Sequence, residues 1–383
     1  MKILHLCLGN FYIDNFSYQE NLLSKFHKKL GYDVEIIAST FTFDNSGKGY
    51  YTNIPKCYIN KDGIFVTRLK NKFIKKLGIF MGTYEAIKKS NPDIIFIHGL
   101  QFLDIIHVIR YIKLNKNVKI FVDNHADFLN SATNWLSRNI LHKLIWRLCA
   151  KMIEPYTIKF YGVLPARVDF LKNVYKIPEE KIELLLMGAE DEKVNIAKDP
   201  NIKKAIRSKY DIKEDDFLIM TGGKIDKNKW QTLLLMEAVK KISNSKVKLI
   251  IFGSVINELR DKFESLIDDE KIKYAGWISS DDSYNYFAAS DLVVFPGKHS
   301  VFWEQVAGLG IPMIVKYLPG ITHIDYGGNI EFLYNDSAIE IKDKIEKIIV
   351  DKNKYFKMKK RAEDISIFFM YSKIAEKSLM INV

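Results

Sequence analysis

The sequence has few cysteines and no long apolar run. Three cysteines occur in 383 residues, Cys7, Cys57 and Cys149, and their odd number and wide spacing exclude a disulfide framework or a cysteine metal site. We therefore expect a reduced, cytoplasmic setting. No apolar run approaches the roughly 18 residues of a spanning helix, and the initial MKILHLCLGNFY suits a strand better than a signal peptide. The protein is predicted to be soluble or to rest on a membrane surface.

The sequence also lacks internal repeats, low-complexity tracts and the composition of a disordered chain. Hydrophobic residues make up 48% of the chain and aromatic residues 13%, which is typical of a folded globular protein. A length of 383 residues is long for one hydrophobic core and suits two α/β domains.

Positive charge is concentrated in the first half of the chain. Residues 1–187 hold 27 Lys and Arg against 16 Asp and Glu, whereas residues 188–383 hold 31 against 30. Two basic stretches that contain aromatic residues, 68–80 and 137–153, are candidates to lie on an anionic lipid surface or to meet an anionic acceptor. A solvated helix face explains them equally well. Nucleic acid is not an expected partner, because no helix-turn-helix, zinc or RNA-recognition signature accompanies the charge.

Residues 291–315 read as a strand, a turn, a helix and a second strand. The apolar run 292–295 predicts a buried strand, and another is predicted at 313–315. Ser300 is placed to cap the helix between them, and Gly308 and Gly310 are placed to end it before Pro312. In such a unit the helix begins at the carboxyl edge of a parallel sheet, where anionic ligands bind.

Glu304 lies one turn inside this predicted helix. A carboxylate there is badly placed to meet a phosphate, but it can accept hydrogen bonds from a ribose diol beside it. Taken alone, Glu304 is also explained as an ordinary solvated carboxylate on a helix.

The segment FPGKHSVFWEQVAGLGIPMIV resembles the donor-binding segment of retaining GT-B glycosyltransferases, in the glycogen-synthase-like and mannosyltransferase-like group. Glu304 matches the second glutamate of the family's Glu-x7-Glu pair. Pro296 stands where the first glutamate is expected, and His299 is the nearest group to take its place. The family pattern G-R-L-(x)3-K-G is similar to GGKIDKNKW, which aligns Lys224 and Lys229 with its two cations.

This resemblance implies a donor site for a nucleotide sugar. Lys224 and Lys229 would face the diphosphate and offset the charge that develops on the leaving nucleotide. No Asp-x-Asp motif occurs, and with these cations present the resemblance implies no metal and no other cofactor. Trp277 would stack on the base or, as is common for this residue, be buried. The donor-binding residues that the resemblance implies are Gly9, Lys224, Lys229, Gly253, Trp277, His299, Ser300, Val301, Phe302 and Glu304.

In the first half of the chain, the strand predicted at 119–124 brings His125 to its carboxyl end in the sequence VDNHADF. A histidine there is also explained as a packing residue or a loop cap. The family commonly has a histidine at this place that reaches toward the transferred sugar, so the resemblance gives His125, Lys229 and Glu304 as catalytic residues. Asp127 is expected to orient the imidazole, to approach an acceptor hydroxyl or to form an Asx turn.

Two further positions of the first half belong to the same expected edge. Gly9 follows the first predicted strand, where the family often has two adjacent glycines that face donor and acceptor. His98 ends the strand predicted at 93–98 and is a weaker candidate than the histidine of VDNHADF.

The resemblance implies an α/β chain with the GT-B fold, in which two Rossmann-like domains face each other across a cleft. We expect an acceptor-binding domain at 1–187 and a nucleotide-sugar-binding domain at 188–364. Residues 365–383 are expected to form a C-terminal helix that crosses back to the first domain. Within the two domains, the sequence also predicts a helix over about 71–90 and a strand at 247–252.

The implied activity is transfer of a sugar, with retained configuration, from a nucleotide sugar to a glycan, as in the synthesis of a lipid-linked or cell-surface polysaccharide precursor. The basic first half fits a cytoplasmic protein that is peripheral on the inner face of the cell membrane. Two alternatives remain open. A nucleotide-sugar 2-epimerase shares the fold and would be favoured by a second set of carboxylates, whereas the absent first glutamate fits an inactive, glycosyltransferase-like binding subunit.

Overall fold

The chain folds into two compact units, as seen in a computed structural model that describes residues 1–44, 48–52, 54–72, 77–268 and 270–380. Unit 1 consists of Met1–Leu186 together with Ile374–Val383, and unit 2 consists of Met187–Lys373. The last residues of the chain therefore belong to the same unit as the first.

The strands alternate with helices along most of the chain. In unit 1 they are β1 (Lys2–Cys7), β2 (Asp33–Ser39), β3 (Phe41–Phe43), β4 (Gly49–Tyr51), β5 (Lys56–Ile59), β6 (Phe65–Leu69), β7 (Ile94–His98), β8 (Lys119–Asn124), β9 (Thr157–Gly162) and β10 (Ile182–Leu184). In unit 2 they are β11 (Phe217–Gly222), β12 (Val247–Phe252), β13 (Ile272–Tyr274), β14 (Leu292–Phe295), β15 (Met313–Lys316) and β16 (Ile330–Leu333).

The α-helices of the described residues are α1 (Gln19–Lys29), α2 (Thr83–Ser90), α3 (Ile105–Leu114), α4 (Arg147–Ile153), α5 (Pro165–Asn173), α6 (Asp191–Ala197), α7 (Pro200–Lys209), α8 (Thr232–Lys241), α9 (Asn257–Leu266), α10 (Asp282–Ala288), α11 (Phe302–Leu309), α12 (Ala338–Val350), α13 (Lys352–Ile365) and α14 (Tyr371–Ser378). A π-helical segment, Ser137–Trp146, precedes α4. Short 3-10 segments occur at Glu154–Tyr156, Glu179–Lys181 and Ser366–Phe369. No helix among the described residues is both long and apolar enough to cross a bilayer.

Unit 1 is built on an eight-stranded sheet in the order β10-β9-β8-β7-β1-β2-β6-β5. All neighbouring strands are parallel except β5 and β6, and β3 pairs with β4 in a separate antiparallel hairpin. The strand order reverses between β1 and β7. In open parallel sheets, ligands bind outside the carboxyl ends of the strands at such a point.

Unit 2 contains a six-stranded, fully parallel sheet in the order β13-β12-β11-β14-β15-β16. Its strand order reverses between β11 and β14. The loops that follow β11, β12 and β14 therefore meet at the carboxyl edge of this sheet, which is the expected place for a nucleotide.

The strands form because parallel sheets are covered on both faces and favour continuous apolar runs. In unit 1 the side chains of Leu4 and Leu6 lie in a core that includes Ile95, Ile97 and Val122. The opposite face of the same strands carries His5, which is fully buried. In unit 2 the core is formed by β11, β12 and β14 with α8 and α12.

The strands predicted at 119–124, 247–252 and 292–295 are confirmed to the residue. The helix predicted at 71–90 is wrong in its first half, because α2 begins only at Thr83. Gly82 is the N-cap of α2 in the left-handed conformation, with φ +80°, which ends any earlier helix. Residues 73–76 of the predicted helix lie outside the described residues.

The C-terminal segment predicted as one helix at 365–383 is divided. A 3-10 turn at Ser366–Phe369 is followed by Met370 in an extended conformation and then by α14. Met370 is bridged to Ala189, and this pairing interrupts the helix. Residues 381–383 lie outside the described residues.

Candidate active site

In unit 2, the carboxylate of Glu304 lies in the first turn of α11 and is completely buried. His299 and His323 approach the same oxygen, Oε1, with their Nε2 atoms at 2.8 and 2.7 Å. The second carboxylate oxygen, Oε2, is buried and has no hydrogen-bond partner in the part of the chain that the structure describes. The solvated helix carboxylate that would explain Glu304 without a ligand is therefore not what the structure contains.

The two histidines keep this carboxylate ionised. Burial by itself would raise the pKa of Glu304, but His299, and after it His323, outweigh burial and hold the pKa well below its usual range. Because an ionised carboxylate only accepts hydrogen bonds, Oε2 is suited to a pair of donors such as ribose hydroxyls. Two other buried polar atoms beside it, Nδ1 of His323 and Nε1 of Trp303, also lack partners among the described residues.

The predicted cap at Ser300 is wrong. Helix α11 begins at Phe302 and its N-cap is Val301, whose helical conformation (φ −56°, ψ −15°) starts the turn early. The backbone carbonyl of Ser300, not its hydroxyl, accepts a hydrogen bond from the amide of Trp303 at 3.0 Å. Since no side chain caps α11, amide groups at its start stay available to an anion. The helix ends at Leu309, with Gly310 as its left-handed C-cap, as predicted, whereas Gly308 lies inside the helix and does not end it.

Lys229 and Gly223 lie together in the loop that follows β11. The ammonium of Lys229 is 3.5 Å from the place where a Cβ on Gly223 would stand. Burial lowers the pKa of Lys229, and the neighbouring Asp226 offsets this only in part. A Cβ on Gly253, after β12, would collide with the carbonyl oxygen of Gly223, so the two loops touch through bare backbone. Lys224, next to Gly223 in the sequence, is exposed.

Two aromatic residues of the predicted donor site differ in their surroundings. The ring of Phe302 packs against Phe252 and Phe287, with centroid distances of 6.0 and 5.2 Å. Its side chain therefore supports the loop, and only its backbone is left for a ligand. Trp277 follows β13 and is 74% exposed, so the alternative of a buried indole is wrong and a stacking surface is present.

In unit 1, His125 lies just past β8 beside two carboxylates. Its Nε2 atom is 3.4 Å from Oδ1 of Asp123 and 3.9 Å from Oε1 of Glu20. Burial lowers the pKa of His125, but Asp123 and then Glu20 outweigh it, and the net pKa is raised. The side chain is 19% exposed, so one edge of this imidazole remains open to a ligand.

Asp123 is itself held by a second histidine. Its Oδ2 atom is 2.6 Å from Nδ1 of His98, and its Oδ1 atom accepts a hydrogen bond from the amide of Gly99 at 3.2 Å. Burial would raise the pKa of Asp123, but His98 and then His125 outweigh it and hold the pKa below its usual range. Both oxygens of Asp123 are thus engaged by donors of its own unit.

Asp127 and Gly9 have structural roles in this structure. The carboxylate of Asp127 accepts hydrogen bonds from the amides of Leu129 and Asn130 at 2.7 and 2.9 Å, which is the Asx turn. It also pairs with Arg167 at 3.1 Å. A Cβ on Gly9 would collide with the backbone of Gly99, so the absence of a side chain there serves the contact between the loops after β1 and β7.

Two clusters have the residue types of a metal site, but neither fits one. Glu20, His98 and His125 lie within reach of a common ion, yet both ring nitrogens of His98 are already engaged by other side chains. In the other cluster, Oε1 of Glu304 is 2.8 Å from Nε2 of His299 and 2.7 Å from Nε2 of His323. Ligands of a tetrahedral zinc ion, at about 2.0–2.1 Å from the metal, lie roughly 3.3 Å from each other. The separations are those of hydrogen bonds.

Comparison with known proteins assigns the second half of the chain. Residues 202–365 match the family model of glycosyl transferases group 1. This segment, less than half of the chain, is thus similar to the group 1 glycosyltransferases. It contains β11 to β16 with Lys229, Trp277 and Glu304, and the resemblance to GT-B glycosyltransferases is confirmed. The retaining, glycogen-synthase-like subgroup stays a prediction.

Part of the chain is also similar to a curated protein. The chain is 22% identical over 223 residues to the mannosylfructose-phosphate synthase of Agrobacterium fabrum (strain C58 / ATCC 33970), which covers 54% of this chain and 46% of that protein. The chain thus spans about half the length of that relative.

Solved structures cover the whole chain. A glycosyltransferase from Rickettsia africae ESF-5 is similar with a TM-score of 0.67 and 17% identity, over 99% of this chain and 96% of that one. Anabaena Alr3699/HepE, described as a complex with UDP, is similar with a TM-score of 0.69 and 16% identity, over 98% of both chains. At this identity the likeness shows the fold, and the fold is GT-B, as predicted.

Several residues at these two sites were not found from the sequence. His323 stands in the loop between β15 and β16, 19 positions after Glu304, where no spacing rule of the family pattern pointed to it. Asp123 and Glu20 were also missed. A signal was present for Asp123, because a carboxylate inside the apolar run KIFVDN of a buried strand needs a partner.

Proposed function

We propose that the protein transfers a sugar from a nucleoside-diphosphate sugar to a glycan acceptor, with retention of configuration at the transferred carbon. The observation that carries this proposal is the buried carboxylate of Glu304 in the segment that is similar to group 1 glycosyltransferases, with one oxygen held by two histidines and the other without a partner among the described residues. That free oxygen is assigned to the ribose diol of the nucleotide. His299 and His323 act as positioning residues that hold the carboxylate.

The pyrophosphate is assigned to the loop after β11 and to the start of α11. Lys229 supplies a poorly hydrated ammonium beside the bare backbone of Gly223, and the uncapped amides at the start of α11 supply further donors. Both favour the charge that develops on the leaving diphosphate. We assign these groups the role that a divalent metal has in other transferases, and attack on the face that the diphosphate leaves follows the family resemblance.

His125 is assigned to the transferred sugar or to the acceptor hydroxyl. Its raised pKa keeps an N–H available for donation near neutral pH, because Asp123 and Glu20 favour the charged ring. A charged imidazole stabilises negative charge on oxygen, so its removal should lower kcat more than it weakens donor binding.

The test is a panel of uridine, guanosine, adenosine and thymidine diphosphate sugars, screened first by thermal shift and then by product analysis. A donor that binds at about 100 times its dissociation constant should stabilise the fold by about 2.7 kcal/mol. Transfer to a glycan with the donor's anomeric configuration supports the proposal. Release of an epimerised nucleotide sugar without an acceptor would replace it by the epimerase, and binding without turnover would replace it by an inactive binding subunit.

We also propose that the acceptor is lipid-linked and that unit 1 rests on an anionic membrane. Five large apolar side chains between residues 135 and 152, which we call the 135–152 stripe, lie on the segment that ends with α4. Four of them, all but Met152, are 60–70% exposed. Arg138, Lys143, Arg147 and Lys151 accompany it. A helical face with large apolar side chains between cations is typical of interfacial binding. The stripe consists of Trp135, Leu136, Leu144, Leu148 and Met152.

The other basic stretch contributes less to this face. Arg68 is only 6% exposed and pairs with Asp14 at 2.9 Å, so it is not a surface cation. Residues 73–76 of that stretch lie outside the described residues.

Sedimentation with phosphatidylglycerol vesicles tests the membrane proposal. We expect binding that falls as salt rises, and a loss of at least about tenfold in the double variant Leu144→Ser and Leu148→Ser. The matched control is Ile196→Ser with Ile339→Ser, two comparably exposed residues of unit 2. Equal binding of both double variants would overturn the assignment of the 135–152 stripe.

A further inference from the structure

Unit 1 contains a row of three fully buried histidines behind its candidate site. Nδ1 of His98, which faces Asp123 at 2.6 Å, begins the row, and Nε2 of the same ring is 2.9 Å from Nδ1 of His5. Nε2 of His5 is 3.0 Å from Nδ1 of His27. Nε2 of His27 ends the row at the hydroxyl of Ser378, 2.8 Å away. Each of these side chains is completely shielded from solvent.

The row crosses elements that are far apart in the sequence. His5 lies in β1, His98 at the end of β7, His27 in α1 and Ser378 at the end of α14. Ser378 therefore comes from the C-terminal segment Ile374–Val383, which joins unit 1 after the chain has passed through unit 2. Hydrophobic packing alone does not call for imidazoles here, because the same sheet face is otherwise covered by aromatic rings such as Phe96 and Tyr161.

The acceptor at one end fixes the direction of every hydrogen bond in the row. An ionised Asp123 only accepts, so His98 must carry its proton on Nδ1 and present a bare Nε2. His5 must then donate from Nδ1, and His27 must donate from Nδ1 in turn. The bare Nε2 of His27 requires a donor, and the hydroxyl of Ser378 is the group within reach.

Ser378 has one proton and two acceptors. Its Oγ atom is 2.8 Å from the carbonyl oxygen of Ala375 as well as from His27, and that carbonyl is 3.3 Å from Nε2 of His27. If the hydroxyl proton goes to the carbonyl, His27 must donate from Nε2 and all three rings change tautomer. His98 then donates from Nε2, and its Nδ1 faces the Asp123 carboxylate with no proton unless one is taken up.

We propose that the row from Ser378 to Asp123 is a proton-ordering relay, in which one hydroxyl of the C-terminal helix sets the tautomers of three buried histidines and so keeps His98 neutral and Asp123 available to His125. Ser378, His27, His5 and His98 are positioning residues. The consequence for sugar transfer rests on the proposed function, whereas the tautomer pattern itself does not.

The charges around both ends agree with this relay. Burial lowers the pKa of His5, and burial also lowers the pKa of His27, to about 3, so an extra proton does not reside on either ring. The geometry leaves Nδ1 of His98 as the place for it, because this atom faces Oδ2 of Asp123 at 2.6 Å. At the outer end His125 faces Asp123 and Glu20, and Arg167 opposes them. Cys7 also lies near these carboxylates, and burial raises its pKa, which keeps this thiol neutral.

The test is nitrogen-15 NMR of the full chain with labelled histidine, without nucleotide. In the wild type near neutral pH we expect His5, His27 and His98 as neutral rings protonated on Nδ1. In Ser378→Ala we expect His5 and His27 to move to the Nε2 tautomer and His98 to become doubly protonated. The pKa of His125 should then fall by on the order of one unit, because His98 neutralises the carboxylate that supports it.

Ser24→Ala is the matched control, since this buried hydroxyl bonds the carbonyl of Asn21 at 2.9 Å in the same helix as His27 and touches no ring of the row. Ser378→Thr, which keeps the hydroxyl, should restore the wild-type pattern. Unchanged nitrogen shifts in Ser378→Ala would overturn the relay. If that variant does not fold, the wild type alone decides, because Nε2 tautomers at His5 and His27 contradict the proposal. In a separate measurement, a shift of the acidic limb of the pH profile of kcat/KM in Ser378→Ala would link the relay to sugar transfer.

Discussion

Each unit buries one carboxylate between two histidines at the carboxyl edge of its sheet, and the two arrangements differ in what they leave free. In unit 1, donors of the protein engage both oxygens of Asp123, from His98 and from the amide of Gly99, with His125 beside them. In unit 2, His299 and His323 share one oxygen of Glu304, and the other oxygen has no partner among the described residues.

The difference indicates two uses of the same chemical pair. A carboxylate with both oxygens engaged by the protein serves to hold and charge its histidine, and the ligand then meets the histidine. A carboxylate with one oxygen free and buried is prepared for a donor that comes from outside, because a buried acceptor without a partner is costly. On this account, His125 meets substrate in unit 1 and Glu304 itself does so in unit 2.

The largest expected contrast is in stability. In Asp123→Asn a single amide oxygen cannot accept hydrogen bonds from His98, Gly99 and His125 together, and the new NH2 group faces other donors. We therefore expect the free energy of unfolding to fall by about 3 kcal/mol. In Glu304→Gln the amide oxygen still accepts from both histidines, and the NH2 group takes the position of the free oxygen. We therefore expect the free energy of unfolding to fall by only about 1 kcal/mol. Urea unfolding of both variants measures the difference.

A matched control is Glu340→Gln, another carboxylate in the first turn of a helix, which accepts from the amides of Tyr334 and Asn335. It should leave nucleotide affinity unchanged. A larger stability loss in Glu304→Gln than in Asp123→Asn would reverse the comparison between the two units.

Acid should separate the two units. Burial lowers the pKa of His27 to about 3 and that of His142 to about 4, and both residues are in unit 1. Because these folded pKa values lie below the unfolded value of about 6.5, the stability contributed by the neutral rings is fully present above pH 6.5 and is lost as pH falls. Between its unfolded and its folded pKa, each such ring lowers the free energy of unfolding by about 1.4 kcal/mol for every unit that the pH falls.

The carboxylates Glu304 and Asp123, whose pKa values are lowered, begin to lose their contribution only near their unfolded values of about 4. Pulse proteolysis in urea between pH 7.5 and 5, with the cleavage sites mapped by mass spectrometry, should therefore find unit 1 weakening first. His27→Gln should flatten the slope. Earlier loss of unit 2 would contradict the account.

The two lysines of the donor loop should differ in their effect on nucleotide affinity. Lys229 is half-buried and poorly hydrated, so we expect Lys229→Ala to weaken binding of the nucleoside diphosphate that the donor panel identifies about tenfold. Lys224 is exposed and its charge is screened by salt, so Lys224→Ala should lower nucleotide affinity only about two- to threefold. Lys227→Ala, a change at an exposed residue of the same loop, is the control. Calorimetric titration with the same nucleoside diphosphate and with its nucleoside separates the contribution of the phosphates from that of the base. Equal losses in the first two variants would remove the distinction.

Much of the fold was predictable, because the strands of both parallel sheets are continuous apolar runs and their loops fall at glycines. The residues 292–295 and 247–252 are examples. The helix at 71–90 was overestimated since its interior carries Gly78 and Gly82, both with positive φ. The division of 365–383 depends on the pairing of Met370 with Ala189, which local sequence does not encode.

Half of each site was visible in the sequence. Glu304 and Lys229 stand in a local motif, and His125 ends a recognisable strand. Their partners could not be predicted in the same way, because His323, Asp123 and Glu20 meet them only through tertiary structure. The one available signal was polar residues inside apolar runs, as at His5 within KILHLC and at His98 at the end of IIFIH.

The central claim is that the free oxygen of Glu304 receives the ribose diol. Calorimetric titration of wild type and Glu304→Gln with the nucleoside diphosphate that the donor panel identifies, and with its 3′-deoxy analogue, tests this claim most directly. A charge-assisted hydrogen bond of about 1.5–3 kcal/mol corresponds to a roughly 10- to 100-fold loss on removal of the hydroxyl. We expect this loss in the wild type and almost none in Glu304→Gln, which should bind both nucleotides weakly. Equal affinity of the wild type for the two nucleotides, or full discrimination by Glu304→Gln, would contradict the account.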